Sequence, residues 1–194
     1  GLRALVRVKK EALRDAAGEH QYGEGRKAGA HLLYKKLQVQ AELQPDAVFI
    51  KVDVKAAFQR LERQPAATAL LAQVPDLAPT AWYGSSSTHL WKNTAGRFQE
   101  VTSQRGFDQG CPLAAAAFSV GQKKALDNYL LHLQQLDPQA RLYSYLDDTY
   151  LVVDKALAAQ ALGALSQTLA TLGLNLNPRK TLVWCPAGTT TLPG

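Results

Sequence analysis

Three carboxylates stand out in this sequence for where they lie. Asp147 and Asp148 are adjacent, set between Tyr143-Ser144-Tyr145-Leu146 and Thr149-Tyr150-Leu151-Val152-Val153. Two like charges side by side in an apolar hairpin repel each other, so a cation is expected beside them. Asp53 ends the apolar run Ala47-Val48-Phe49-Ile50-Lys51-Val52 and precedes Val54-Lys55-Ala56-Ala57-Phe58. Carboxylates at the ends of neighbouring strands supply the hard oxygens that Mg²⁺ takes together with phosphate oxygens and water. Two such ions activate an attacking hydroxyl and stabilise a leaving pyrophosphate oxygen. Each residue alone has a plainer explanation as well. Asp tolerates the left-handed backbone of hairpin turns, and an Asp at a strand end can cap a following helix.

Two further segments carry chemistry of the same kind. In Gln104-Arg105-Gly106-Phe107-Asp108-Gln109-Gly110-Cys111-Pro112-Leu113, Gly110 permits close backbone approach and Gln109 at a helix entrance can face a nucleotide. The same pattern also serves a helix begun by proline. Gly173-Leu174-Asn175-Leu176-Asn177-Pro178-Arg179-Lys180-Thr181 places Lys180 just beyond an Asn-Pro turn. There it could donate a proton to leaving pyrophosphate, although a single Lys is more often a solvated surface charge.

The elements that must hold these residues follow from periodicity and punctuation. A basic amphipathic helix is expected from Arg3 to Ala17, stopped by Gly18, with Arg3, Arg7, Lys9 and Lys10 on its surface. A glycine-punctuated basic loop from His20 to Gly29 leads to a second helix over Ala30 to Leu43. The β-branched and aromatic run Ala47–Val52 is a buried strand ending at Asp53. Helices are expected over Pro65–Gln73 and Leu77–Tyr83, and a hairpin over Thr88–Lys92 and Arg97–Thr102, turned at Asn93-Thr94-Ala95-Gly96. A long helix should run from Pro112 to about Gln135. Strands Leu142–Tyr145 and Thr149–Val153 then flank the acidic pair. A helix from Lys155 to Leu172, closed by Gly173, and a last strand over Thr181–Trp184 complete the order.

Bulk properties narrow the class. The chain has 194 residues, 46% hydrophobic and 20% charged, enough for one core. Its 22 Lys and Arg against 16 Asp and Glu leave a net charge of +6, which suits a polyanionic partner. Cys111 and Cys185 have neither zinc-ligand spacing nor a disulfide framework, as expected of a reduced, intracellular chain. No apolar run reaches the roughly 18 residues that span a bilayer, and the N-terminus lacks signal-peptide architecture, so neither membrane insertion nor export is expected. The absence of Met, an initiator included, suggests a piece of something longer.

The four chemical segments, in this order, resemble the motifs of the reverse transcriptase family. Asp53-Val54-Lys55-Ala56-Ala57-Phe58 is similar to its first palm motif, Gln109-Gly110-Cys111-Pro112-Leu113 to the second, Tyr145-Leu146-Asp147-Asp148 to the third, and Gly173 to Thr181 to the fourth. His20-Gln21-Tyr22-Gly23-Glu24-Gly25-Arg26-Lys27 resembles a finger segment of retrotransposon and intron-type enzymes. The match departs at Ala114-Ala115, where the family often has Ser-Pro, and at Asp108, where many relatives are basic or neutral.

The resemblance implies an α/β (α+β) polymerase palm, an antiparallel ferredoxin-like or RRM-like sheet packed on helices. It divides the chain into partial, basic, helical fingers (1–46), the palm (47–185) and a flexible tail or linker start (186–194). It implies an RNA-directed DNA polymerase that adds dNTPs to a DNA primer on an RNA template, with two Mg²⁺ ions or Mn²⁺ as a substitute. Asp53 and Asp147 would hold the ions, Asp148 would support them and Val54 would lend its carbonyl. Phe58, after Ala57, would be the steric gate against a ribose 2′-hydroxyl. Gln109 and Gly110 would line the nucleotide pocket and Lys180 would be the acid. A non-LTR retrotransposon or group II intron type is expected, in a nuclear or cytoplasmic ribonucleoprotein. A non-catalytic nucleic-acid-binding remnant and an RNA-dependent RNA polymerase remain as rival readings.

Overall fold

The computed structural model describes residues 1–84, 86–107 and 110–188. Its centre is β1 (Val48–Val52), whose alternation of buried side chains feeds two cores at once. Val48, Ile50 and Val52 enter the larger core, and Phe49 enters a smaller one on the opposite face, as strand pleating requires. β1 pairs antiparallel with β5 (Asp148–Val153), aligning Val52 with Thr149, and with β6 (Leu182–Trp184), aligning Ile50 with Val183. β5 also pairs with β4 (Arg141–Tyr145), so the sheet order is β4-β5-β1-β6.

Between β1 and β4 the chain forms α4 (Ala57–Arg60), α5 (Arg63–Gln73) and α6 (Ala114–Leu136), and between β5 and β6 it forms α7 (Ala158–Ala170). Two interlocked strand–helix–strand units on one antiparallel sheet are the ferredoxin-like arrangement expected from the sequence. Leu113, Ala117, Phe118 and Leu126, at the start of or along α6, and Leu165 and Leu169 of α7 fill the larger core with Leu142, Leu151 and Val153 of the sheet. On the other face lies α3 (Gly29–Leu43), whose Leu33 packs with Tyr22, Phe49, Tyr143 and Val152.

Several elements differ in detail from expectation. The N-terminal helix is two, α1 (Leu2–Val8) and α2 (Lys10–Ala17), broken at Lys9 with φ −93° and ψ 12°. Lys9 is drawn there into an ion pair with Asp76. The helix expected over Leu77–Tyr83 is a 3₁₀ run, Pro75–Gly84, because Pro79 inside it removes a donor. α6 begins at Ala114 rather than Pro112, after a turn in which Ala114 N–H donates to the Cys111 carbonyl at 3.1 Å. Lys155–Leu157 is a 3₁₀ turn capped by Asp154, so α7 starts later than Lys155.

The hairpin of β2 (Ser87–Lys92) and β3 (Phe98–Ser103) stands apart from the main sheet. Its turn closes on Asn93, whose Oδ1 accepts from the N–H groups of Ala95 and Arg97, both at 3.0 Å. Buried Arg63 anchors its base, donating to the carbonyls of Gly106 (2.6 Å), Arg105 (3.1 Å) and Ser103 (3.3 Å). The expected tail is described only as far as residue 188.

Candidate active site at the β4–β5 turn

β4 and β5 are joined by two residues, Leu146 and Asp147, between the paired Tyr145 and Asp148. Leu146 has φ +55°, a left-handed conformation that costs a residue with a Cβ about 1–2 kcal/mol. The turn is therefore held from outside. Leu146 N–H donates to Gln21 Oε1 at 2.8 Å, and its carbonyl accepts from Gln122 Nε2 at 3.1 Å.

The register that aligns Val52 with Thr149 sets Asp53 and Asp147 at the same end of adjacent strands. Asp147 is half-buried, and its carboxyl is pushed above the usual carboxylate range. Burial is the main cause; the negative charges of Asp148 and Asp53 add to it, while its own backbone N–H and Lys51 oppose it. Asp53 is fixed by the fourth sequence segment: Asn177 Nδ2 donates to its Oδ2 at 2.9 Å, and Asn177 N–H to its carbonyl at 2.8 Å. Lys55 N–H donates to the Asn175 carbonyl at 2.9 Å, so the segments carrying Asp53 and Lys180 pair edge to edge.

Asp148 is placed differently. As the first residue of β5 it shares a face with Lys51, whose ammonium lies 3.0 Å from its carboxylate and 5.7 Å from the Tyr150 ring centre. The hydrogen bond to Asp148 raises the Lys51 pKa above its ordinary value. Among the described residues no group of three or more His, Cys, Asp or Glu side chains could together hold a metal. Asp53 and Asp147 thus lie at the same end of adjacent strands, while strand alternation sets Asp148 against Lys51.

The remaining expected residues surround the first motif. Val54 is buried and bridges to Leu176, at the junction that carries Asp53. Ala57 is buried at the start of α4, after Ala56 at φ +48°. Phe58 is half-buried and its ring stacks on buried Phe118, with centroids 4.7 Å apart and planes 28° from parallel. Its carbonyl accepts from Phe107 N–H at 2.7 Å, which draws the second motif's loop against α4. Gly106 makes that approach possible: at φ +70°, a Cβ there would lie 2.4 Å from Gln59 backbone atoms. Gly110 has φ +87° and open space around it, so the backbone angle is what its glycine serves. Gln109 and Asp108 lie outside the described residues. Lys180 is exposed in the turn after Asn177, whose carbonyl accepts its N–H at 3.0 Å.

Four contributors are not evident from the sequence: Lys51, Asn177, Gln21 and Gln122. Lys51 interrupts an apolar strand and Asn177 sits in a motif, which are weak signals. Gln122 is a polar residue on the buried face of α6, a position where a side chain needs a specific partner. On the α3 side of the sheet a cavity of about 530 Å³ opens between α3 and the strands, lined by Leu33, Tyr34, Tyr145, Tyr150 and Trp184, with Asp148 among them.

Solved structures share this architecture. The telomerase of Candida tropicalis without its C-terminal domain superposes with a TM-score of 0.67 at 14% identity, covering 98% of this chain and 41% of that one. The telomerase of Candida albicans in complex with a TWJ fragment of telomeric RNA gives 0.66 at 15% identity, covering 94% of this chain and 34% of that one. At such identities the likeness is one of fold, and the chain spans about two-fifths or less of those proteins. No curated protein sequence matches it. The family model described as reverse transcriptase (RNA-dependent DNA polymerase) matches residues 2–192. With almost its whole length so matched, and with paired strand ends presenting Asp53 and Asp147, the chain belongs to the reverse transcriptase family.

Proposed function

We propose that this chain is the palm, with part of the fingers, of an RNA-directed DNA polymerase that transfers dNTPs to a primer 3′-hydroxyl with the help of two divalent cations. The observation that carries this reading is that the β1–β5 register sets Asp53 and Asp147 at the same end of adjacent strands, where Asn177 fixes the Asp53 carboxylate. A pair of carboxylates is the donor set expected for Mg²⁺, which is commonly bound by one or two carboxylates plus substrate phosphates. Mn²⁺ suits the same oxygens. When bound, the ions would activate the primer hydroxyl and stabilise the leaving pyrophosphate.

The chain's own residues do the positioning. Asn177 orients Asp53 through its amide, and Val54 offers its carbonyl beside it. Phe58, braced by Phe118, is a rigid plane against which a sugar can be sorted, because a flat ring leaves no room for a 2′-hydroxyl. Gln109 and Gly110 border the nucleotide, and Lys180 is the acid for departing pyrophosphate. Lys51 neutralises Asp148, so charge accumulates at Asp53 and Asp147 rather than across the whole turn. The resemblance of the His20–Lys27 segment to a finger segment of retrotransposon and intron-type enzymes supports a non-LTR retrotransposon or group II intron type acting on RNA in a ribonucleoprotein.

Primer extension on a homopolymer RNA template tests the reading, using this chain and a version extended at both ends. Asp147→Asn should lower incorporation at least ~10³-fold, since removing one charge-stabilising group at such a centre costs about that much. Asp148→Asn should cost less, on the order of 10-fold. Equal incorporation by the unaltered chain and Asp147→Asn would sink the proposal.

A further inference from the structure

We infer that Gln21 is a positioning residue that, with Gln122, sets where Asp147 sits by locking the backbone of Leu146. The inference rests on the proposed role of Asp147 and adds the residue that places it. Gln21 lies in a strap, His20 to Gly23, that runs beside β4 as an additional parallel pairing. Tyr22 N–H donates to the Ser144 carbonyl, and Ser144 N–H to the His20 carbonyl, both at 2.7 Å.

From that strap the Gln21 amide reaches under the turn. Its Oε1 accepts from both Leu146 N–H and Gly23 N–H at 2.8 Å, and its Nε2 stands 3.5 Å from the Leu146 carbonyl. Gln122 Nε2 donates to the same carbonyl from α6 at 3.1 Å. Both glutamines are 2% exposed. Two buried amides, arriving from opposite ends of the chain's first two-thirds, therefore hold both polar backbone groups of the one residue in this turn with a positive φ.

The chemistry requires an amide. A carboxylate at position 21 would lack the donor and bury a charge, and an apolar side chain would leave the Leu146 N–H unpaired. Gly23 completes the fit: a Cβ there would lie 2.6 Å from Leu146 Cγ and 2.7 Å from its N, so any larger residue would push the turn outward. Arg26 holds the strap's curl, donating to the Gln21 carbonyl at 2.8 Å and to the Glu19 carbonyl at 2.9 Å. Asp147 follows Leu146 directly, so a change in the Leu146 backbone moves its carboxylate relative to Asp53.

The test uses the whole chain and the variants Gln21→Met and Gln122→Met, each observed metal-free by NMR hydrogen exchange and then titrated with Mn²⁺. In Gln21→Met, the Leu146 amide should exchange ~10-fold faster or more, the Asp147 amide resonance should move, and β1 and α6 amides should keep their rates. Gln122→Met, which spares the Leu146 N–H bond, should move the Asp147 resonance less. Mn²⁺ affinity should fall about 10-fold in Gln21→Met. Exchange at Leu146 as slow as in the unaltered chain, or acceleration spread evenly over the sheet, would overturn the lock. If the unaltered chain binds no Mn²⁺ at Asp53 and Asp147, the polymerase reading fails alone, because the exchange arm needs no metal.

Discussion

At Asp147 the fold and the proposed chemistry pull in opposite directions. Its carboxyl titrates above the ordinary Asp value because burial and two neighbouring carboxylates disfavour its charge. A raised folded-state pKa means the native chain holds its proton over a window where the unfolded chain has lost it. Stability is then greatest below the ordinary Asp value near 4, falls as pH rises through the raised value, and stays lower above it. Asp147→Asn should remove that penalty while abolishing the proposed activity. Thermal unfolding followed by circular dichroism should show Tm on the order of 2 °C higher for the variant at pH 7, a small effect because the site is half solvent-exposed, and no difference below about pH 4. Phe58 offers a second test. Phe58→Val should raise ribonucleotide incorporation relative to deoxynucleotide by at least ~10-fold, read by extension with each nucleotide set; unchanged selection would remove Phe58 from the gate.

At the scale of elements, the hairpin of β2 and β3 reaches the body through Arg63, so the second motif's loop depends on that side chain as much as on its own sequence. Arg63→Ala would leave several buried or half-buried carbonyls without a donor and should cost roughly 2–4 kcal/mol, measured by urea denaturation. If stability changed by less than about 0.5 kcal/mol, the anchor would be decorative. How much of this was readable beforehand depends on how local the cause is. The strands around Asp53 and Asp147, the hairpin turn at Asn93 and the order of the helices follow from alternation, turn residues and capping, all of which act over a few residues. The partnership of Lys51 with Asp148 depends on which face each residue takes, which is fixed only when Lys51 pairs opposite Tyr150. Gln122, Ser144 and Thr149 are polar residues at buried positions beneath the turn. Pattern alone marks them as exceptions, and departures of this kind are expected where function constrains a core. The Lys9–Asp76 ion pair at the junction of α1 and α2 joins residues far apart in the chain, a partnership no local pattern specifies.

For the whole molecule, the sheet order β4-β5-β1-β6 makes the site a product of distant segments. Asp53 comes from the first strand in sequence, Asp147 from the hairpin that pairs with it, and Asn177 from the stretch before the last strand. The larger core is built mainly from the sheet with α5, α6 and α7, and Leu13, Ala16 and Ala17 of α2 complete it. The strap depends on a longer closure: the bond from Leu146 N–H to Gln21 joins residues 125 apart in sequence. Closing so long a loop yields a reward only after β4 and β5 exist to receive it. The turn should therefore reach its final shape after the sheet has condensed. In refolding from urea, fluorescence of Trp184, which packs 5.1 Å from Phe49, should recover before the Leu146 amide gains protection in pulse-labelled exchange. Simultaneous recovery would mean that the strap docks with the sheet. A chain that assembles in this order carries its acidic pair for a time on a finished sheet with an unfinished corner, and its competence would arrive as a maturation step distinct from folding.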